Sequence, residues 1–288
     1  EEPEAEAEYA EEATEEEALR ELPKRNGLRR VEADVDVKAL KLFVQQVMAL
    51  TDEAKIVMDR DGWHGKTVDP AHVAMIEVTL PHEALEQTLS WAERPTEGDT
   101  ALNEVAVGVD LVKIRDVLKG TKAERIRFEY LEGEKDRITV AAGTTRRTMS
   151  PLDTEGMSDP KLPSLNFTRE FRIPGKLLMQ SIKGASQVSD HIALTVTLND
   201  QGDATLRLEG QGDVDVYADE YAAEVEWGPG VREAPRSLFP LDYLDKMVKQ
   251  VKDLELTLKM STDYPLWISW DGPTKGVYLL APRIEESE

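Results

Sequence analysis

Apolar residues recur with a helical period in four segments of the chain, each flanked by short apolar stretches. In the first segment they stand three or four residues apart, at Val37, Leu40, Val44 and Val47. This spacing puts them on one face of a helix. The same pattern predicts helices over residues 36–50, 110–118, 174–182 and 241–251. Asp36 and Asp110 are favourable N-caps, and Pro174 suits a first helical position.

Between these helices, apolar and polar residues alternate with the period of a β-strand, for example over residues 126–130 and 204–208. A unit of strand, helix and strand therefore occurs four times. Residues 151–164 contain three prolines and a glycine without sustained periodicity, which predicts an extended linker. The flanking segments, 31–150 and 165–284, are equal in length. The pattern predicts an α+β chain of two duplicated domains.

Two segments depart from this pattern. Residues 1–27 consist mainly of Glu and Ala and cannot build a core, so we expect an acidic, disordered tail with a short helix near residues 12–22. The segment 81–104 is long for a connection before the second helix, and we expect an added helical turn at residues 86–91. Neither segment has a function that its sequence indicates.

Acidic residues outnumber basic residues, with 57 Asp and Glu against 35 Lys and Arg and a net charge of −22. Because phosphates repel carboxylates, this sum alone argues against binding to nucleic acid. Whether DNA can bind therefore depends on how the charges are distributed over the surface. The acidity fits either ordinary solvation of acidic outer faces or a salt-rich cytoplasm, and both alternatives stay open. The chain has no cysteine, which excludes disulfides and thiolate zinc sites. Neither a membrane span nor a secretory signal is present in the sequence, so we expect a cytoplasmic protein without a membrane partner.

The sequence offers no constellation of catalytic residues. The histidines, at positions 64, 72, 82 and 191, do not have the spacing of a zinc site. Phosphate-binding loops, nucleophile elbows and dinucleotide glycine fingerprints are also missing. Asp34 and Asp36, like Asp213 and Asp215, stand two positions apart, which on a strand places both carboxylates on a solvated face. We therefore expect neither an enzyme nor a metal or cofactor site.

Three segments, however, resemble fixed points of one known family. They are VDPAHVAM at 68–75, SLFPLDYL at 237–244 and LLAPRI at 279–284. In this order they resemble the sliding clamps of archaea and eukaryotes, the proliferating cell nuclear antigen family. The resemblance implies a processivity factor whose homotrimeric ring encircles duplex DNA, with helices lining the bore and antiparallel sheets outside. The alternative is a peptide-binding scaffold of the same fold that never encircles DNA, and a heterotrimer also stays open.

The resemblance implies further that the helices face DNA at the nucleoid. The polar face of every expected helix carries basic residues, namely Lys38, Lys41, Lys113, Arg115, Lys119, Lys176, Lys183, Lys246 and Lys249. Such point charges contact phosphates without recognising bases. The alternative is that lysine is simply favourable on an exposed helix face.

In this family, polymerase, clamp loader, nuclease and ligase dock through short motifs that contain a glutamine, an aliphatic residue and paired aromatics. The resemblance implies a pocket for them beneath the linker, formed by His72, Val73, Met75, Met157, Leu162, Pro163, Pro265, Leu279, Ala281, Pro282, Arg283 and Ile284. His72 would lie at its edge, as a contact and not as a catalyst. Leu279 stands where many relatives carry tyrosine, which predicts a more aliphatic pocket. The alternative is that these residues only close the core.

The resemblance also implies how the ring closes. An edge strand near residues 143–149 of one subunit would pair with a strand near 211–219 of the next. Arg146 and Arg147 lie in the first segment, and Asp213, Asp215 and Asp219 lie in the second. The opposite charges favour this contact.

Overall fold

The computed structural model describes residues 29–91, 104–133, 135–157, 159–199, 201, 203–227 and 234–284. The expected acidic tail, the centre of the 81–104 segment and residues 285–288 lie outside the described residues. Within them the chain forms helices and antiparallel sheets, so the predicted α+β class is confirmed.

All four predicted helices are present: α1 (Val37–Val47), α2 (Leu111–Gly120), α3 (Gly175–Ala185) and α4 (Leu241–Val251). The predicted N-caps are confirmed, since Asp36 accepts a hydrogen bond from the N–H of Ala39 (2.8 Å) and Asp110 from that of Lys113 (3.1 Å). Pro174 was expected as the first helical residue, but it precedes α3 with an extended backbone (φ −58°, ψ 128°). The reason is that Pro174 is also the last residue of the preceding strand.

The strands, in chain order, are β1 (Arg29–Asp36), β2 (Glu53–Met58), β3 (Gly62–Val68), β4 (Ala74–Pro81), β5 (Leu85–Trp91), β6 (Val105–Asp110), β7 (Arg125–Leu131), β8 (Arg137–Ala142), β9 (Thr145–Met149), β10 (Arg169–Pro174), β11 (His191–Leu198), β12 (Ala204–Gln211), β13 (Val216–Ala223), β14 (Val225–Trp227), β15 (Arg236–Pro240), β16 (Glu255–Met260), β17 (Leu266–Asp271) and β18 (Lys275–Leu280).

Among the described residues these strands form three sheets. Their orders are β5-β1-β7-β8-β9, β14-β10-β16-β17-β18-β4-β3-β2-β6 and β13-β12-β11-β15. The nine-stranded sheet contains strands from both halves of the chain, because β18 pairs antiparallel with β4. In that register Leu279 lies opposite Met75. This pairing brings two of the three segments that carry the family resemblance together.

The expected helical turn at residues 86–91 is wrong, because these residues belong to β5. This strand pairs antiparallel with β1, with Leu85 opposite Val35. Pairing with β1 satisfies main-chain groups that an isolated helical turn would leave without partners. The segment therefore extends the five-stranded sheet.

The helices lie side by side on the sheets. Helix α2 packs on α1, α1 packs on α4, and α4 packs on α3. Each helix buries its apolar side, with Phe43, Ile114, Leu178 and Leu244 among the buried residues. The polar side of each helix therefore faces away from the sheets.

A buried polar cluster ties α1 to the strands near the end of the chain. The hydroxyl of Thr274 donates to Oε1 of Gln46 (2.9 Å), and the indole of Trp270 donates to the Thr274 hydroxyl (3.2 Å). The hydroxyl of Tyr278 donates to the main-chain carbonyl of Gln46 (2.9 Å). Because buried polar groups need partners, these bonds fix α1 relative to β17 and β18.

The contact between α3 and β13 leaves no room for a side chain at position 184. A Cβ on Gly184 would lie 1.9 Å from Cζ of Tyr217, whose hydroxyl is bonded to Asp219 (2.6 Å). We expect Gly184→Ala to destabilise the protein by about 2 kcal/mol and to lower Tm by roughly 5 °C. Circular dichroism, recorded during heating, measures the Tm of the variant and of the parent.

Gly120→Ala is the matched control, because Gly120 ends α2 and has nothing within 4 Å of an added Cβ. Alanine favours helix there, so Tm should stay equal or rise. If both variants unfold at the parental temperature, the Tyr217 ring does not restrict this position.

Candidate functional site

A line of side chains crosses the outer face of the nine-stranded sheet, where β4 meets β18. Val68 lies opposite Met75, Met75 opposite Leu279, and Leu279 opposite Trp267. We call these four residues the outer strip. Met75 and Leu279 are buried, yet they do not belong to the main core beneath the helices. Their alternating neighbours Ile76 and Leu280 do, so the outer strip faces away from the helices.

The linker, residues 151–164, is attached to this same outer face. Its start is held by a hydrogen bond from the N–H of Leu152 to the carbonyl of Gly108 (2.8 Å). A Cβ at Gly108 would lie 2.3 Å from the carbonyl oxygen of Leu152, so only glycine allows this approach. Further along, Asp159 accepts a hydrogen bond from Lys55 (2.8 Å), which holds the pKa of Asp159 below its usual value.

Three aromatic side chains pack together just after the end of the linker. Phe167 packs edge-on against Trp267 and Tyr264, at centroid distances of 6.1 and 5.6 Å. The chain thus passes from β6 to β17 across the sheet. Met157 and Leu162 on the linker are half-buried, whereas Pro163 is exposed.

A tight turn around His72 forms one end of the outer strip. His72 has a φ of 57°, a conformation uncommon for residues other than glycine. The carboxylate of Asp69 holds the turn, because it accepts hydrogen bonds from the N–H groups of Ala71, Val73 and Ala74. Tyr243 on α4 donates a further bond to Asp69 (2.7 Å). The turn is therefore fixed from two directions.

These bonds decide the charge of Asp69. Burial alone would raise its pKa, but the bonds from Tyr243 and the backbone N–H groups outweigh burial and lower the pKa below its usual value. The hydrogen bond to Asp69 raises the pKa of Tyr243 to about 12. At neutral pH the turn therefore contains an ionised carboxylate and a neutral phenol.

The segment 281–284 runs beside this turn. The N–H of Ala281 donates to the carbonyl of Val73 (2.9 Å), and the N–H of Arg283 donates to that of Leu238 (2.7 Å). Pro265 precedes Leu266, which lies opposite Leu280. Main-chain pairing thus places the expected pocket residues Val73, Met75, Pro265, Leu279, Ala281 and Pro282 in one neighbourhood. Arg283 and Ile284 follow at its exposed end.

Several residues of this neighbourhood were not predicted from the sequence: Val68, Asp69, Phe167, Tyr243 and Trp267. Val68 and Trp267 can be assigned to the outer strip only from the strand register, which no local sequence pattern predicts. The indole Nε1 of Trp267 is buried and has no hydrogen-bond partner in the described part of the chain.

The basic residues of the helices are all at least partly exposed. Four of them have acidic partners in the chain: Lys113 pairs with Asp110 (2.9 Å), Arg115 and Lys119 pair with Asp116 (3.3 and 3.5 Å), and Lys176 pairs with Asp253 (3.4 Å). Lys246 lies 5.6 Å from the ring centroid of Tyr243. Within the described residues, no ion pair involves Lys38, Lys41, Lys183 or Lys249, and these lysines are the most available for an anion.

Strands β9 and β13 each lie at an edge of their sheet, so their outer main-chain groups have no strand partner among the described residues. Arg146 lies 3.7 Å from Glu129, and Arg147 donates to the carbonyl of Lys113 (3.4 Å). At the start of β13, Val214 in the preceding turn and Val216, the first residue of the strand, are 91% and 62% exposed. Exposed valines next to an open edge indicate a surface that another chain can cover.

Asp219, which the resemblance puts at the subunit contact, is half-buried and bonded within its own subunit. Its carboxylate accepts hydrogen bonds from Ser181 (2.7 Å), Tyr217 (2.6 Å) and Tyr221 (3.1 Å). Burial would raise its pKa, but these hydroxyl groups outweigh burial and lower it. Because side chains alternate along β13, Asp219 faces α3 while its neighbours face outward.

The two aspartate pairs differ in their surroundings. Asp34 pairs with Arg125, and Asp36 caps α1. Asp213 and Asp215 are exposed in the turn before β13, not on a strand as expected, because the N–H of Gly212 closes that turn on the carbonyl of Asp215 (2.9 Å). In the described ranges no group of three or more His, Asp or Glu residues is placed to hold a metal. No helix there is long and apolar enough to cross a membrane.

Comparison with known proteins identifies the family. No protein-family model matches the chain. The DNA polymerase sliding clamp of Methanothrix thermoacetophila is 34% identical over 263 residues, which cover 89% of this chain and 99% of that clamp. The DNA polymerase sliding clamp of Methanocella arvoryzae is 32% identical over 259 residues, which cover 88% and 98%.

A solved structure of the same family is also similar to this chain. The fold is similar to PCNA from A. fulgidus, which was solved with the C-terminal region of FEN-1 bound to it. The TM-score is 0.74 and the identity 25%, over 89% of this chain and 100% of that one. The chain belongs to the family of archaeal DNA polymerase sliding clamps.

Proposed function

We propose that three copies of this chain form a ring that encircles duplex DNA and tethers polymerases and other replication enzymes to it. The observation that carries this proposal is the row of helices, whose polar sides bear lysines although the chain has a net charge of −22. Lys38, Lys41, Lys183 and Lys249 would contact phosphates directly. Such contacts are independent of sequence and easily exchanged, as sliding requires.

We propose that the chain has no catalytic activity of its own, because a clamp works by tethering other enzymes. As a ring on DNA it would act at the nucleoid. Its domains would be residues 31–150 and 165–284, joined by the linker 151–164. Their equal length and the repeated strand–helix–strand unit support this division.

The test is retention on DNA of different topology. Once loaded by its clamp loader, the ring should stay on circular DNA through gel filtration at moderate salt and should leave after one restriction cut. Linear DNA with both ends blocked by bound protein is the control and should retain it. If the cut does not release the protein, it binds DNA without encircling it, and the peptide-binding scaffold becomes the better function.

Client enzymes would bind in a groove formed by the outer strip, the His72 turn and segment 281–284. We call this surface the client groove. The bound FEN-1 segment in the A. fulgidus structure supports this role. The apolar strip would anchor the motif, and methionine adapts to varied guests. Met157, Leu162 and Pro163 of the linker would cover the bound client.

We expect the double variant Met75→Glu, Ala281→Asp to weaken binding of a client-motif peptide about 100-fold, because burying a carboxylate in an apolar groove is costly. Isothermal titration calorimetry measures the affinity. Thr197→Glu, Gln201→Glu is the control, since both positions are exposed and neither residue belongs to the groove. Equal affinity for all three proteins, each still trimeric, would place the client site elsewhere.

A further inference from the structure

A second cleft, of about 620 Å³, lies on the outer face of the four-stranded sheet. His191, Glu209, Arg236 and Leu238 line it together with Arg283 and Ile284. Along β11 and β12, the core residues Ile192 and Leu208 alternate with the cleft residues. The cleft therefore opens away from α3 and from the helix lysines, which makes duplex DNA in the bore an unsuitable ligand for it.

The described lining of the cleft contains two arginines and one glutamate, on a protein with a net charge of −22. Nη1 of Arg283 lies 2.9 Å from Nε2 of His191. Burial and the charge of Arg283 lower the pKa of His191 and outweigh Asp190 and Asp242, which act in the opposite direction. At neutral pH the imidazole is therefore uncharged and accepts a hydrogen bond from the guanidinium. In the described part of the chain Arg283 forms no ion pair, and the neutral histidine orients this cation without cancelling its charge.

Among the described residues that line the cleft, the acidic one is already bound by an arginine. Glu209 is bound by Arg207 (2.9 Å from Nε), which also pairs with Glu220. Arg207 thus offsets the charge of Glu209, while Arg283 also lines the cleft and forms no ion pair within the described residues. The guanidinium of Arg283 favours an anion, and the partly buried Leu238 and the 71% exposed Ile284 provide apolar contact beside it.

The cleft is continuous with the client groove. The N–H of Arg283 is bonded to the carbonyl of Leu238, so segment 281–284 and β15 form a shared wall. Arg283 and Ile284 stand at the end of the groove and also line the cleft. A peptide that leaves the groove along this wall would enter the cleft next.

We propose that this cleft binds an aspartate or glutamate side chain that flanks the client motif. The proposal rests on the client groove proposed above. A guanidinium recognises a carboxylate through paired, charge-assisted hydrogen bonds. The cleft would thus select clients by the charge of their flanking residues, in addition to the motif itself.

The test uses calorimetry with one client-motif peptide in five forms. One form has asparagine and glutamine on both flanks, and the others carry either acidic residues or lysines on the N-terminal or the C-terminal flank. We expect an acidic residue on one flank to tighten binding roughly fivefold to tenfold over the neutral peptide at low salt. The gain should shrink as salt screens the charges.

Arg283→Glu should reverse this preference, so that lysine on the same flank binds tighter than acid. The readout is the ratio of affinities for acidic and neutral peptides, which a general weakening of the groove leaves unchanged. Arg172→Glu is the matched control, because Arg172 is exposed on β10 and does not line the cleft. It should keep the acidic preference of the parent.

The outcomes separate the two proposals. If the parent binds all five peptides equally well, the cleft has no acidic preference, while the client groove stands. If Arg283→Glu retains the parental preference, the assignment to this cleft is overturned. If none of the peptides binds, the client groove itself fails, and the cleft fails with it.

Discussion

We expect the variant Arg146→Glu, Arg147→Glu to be a monomer at concentrations where the parent is a trimer. In the proposed ring, β9 of one subunit pairs with β13 of the next, and both are edge strands. In that arrangement the variant would bring glutamates near Asp213 and Asp215, which are exposed in the turn before β13. Exposed ion pairs contribute only about 0–1 kcal/mol each, but the loss is repeated at every interface and repulsion replaces attraction. Native mass spectrometry measures the assembly.

A charge swap is the strongest control for this interface. Adding Asp213→Arg and Asp215→Arg to the double variant restores opposite charges and should restore the trimer. Asp219 is left unchanged, because it holds Ser181, Tyr217 and Tyr221 within its own subunit. If the double variant stays trimeric, the contact lies on other strands. If it unfolds by circular dichroism, Arg147→Glu alone, tested in the same way, decides between folding and assembly.

The helices could be predicted from the sequence because their evidence is local. Apolar spacing fixes the buried face of α1, and the aspartates at positions 36 and 110 fix where two helices begin. The end of α1 was less predictable. Residues 48–50 continue as turns, in which Ala49 and Leu50 bond to carbonyls three residues earlier. The residue types in these turns are the same as in a helix, so the sequence does not show that the helix ends before them.

Non-local pairings could not be predicted from residue patterns. Nothing in the segment 86–91 indicates that β1 is its partner, and this is why a strand was mistaken for a helical turn. The outer strip depends on β4 meeting β18, which are about 200 positions apart in the chain. The family resemblance supplied Met75 and Leu279 for this site, but Val68 and Trp267 follow only from the register.

The inward direction of Asp219 was missed for a similar reason. The side that a strand residue faces depends on where the strand begins. Residues 213–215 form a turn, and β13 begins only at Val216. A strand extended from Asp213 would give the three aspartates one common face, whereas the observed turn separates them. Charge pattern alone therefore selected one residue with an internal function.

The second large effect concerns the bore. We expect the variant Lys38→Glu, Lys41→Glu, Lys183→Glu, Lys249→Glu to lose all stimulation of DNA polymerase on a primed circle while it remains a folded trimer. These lysines have no ion pair in the described residues, so their full charge is available to phosphates. Each lost phosphate contact should also reduce the slope of log K against log salt by about 0.9. Primer extension and salt-dependent DNA binding measure the two effects.

A matched variant distinguishes the effect of where the lysines lie from the effect of the protein's net charge. Arg60, Lys135, Arg172 and Lys275 are exposed and lie outside the helices, and their change to glutamate alters the net charge equally. This control should stimulate synthesis nearly as well as the parent. The change Lys113→Glu, Lys119→Glu should weaken stimulation less than Lys38→Glu, Lys183→Glu, because Asp110 and Asp116 already offset the first pair of charges. If the helix and control variants lose activity to the same extent, overall acidity and not the helix face determines DNA binding.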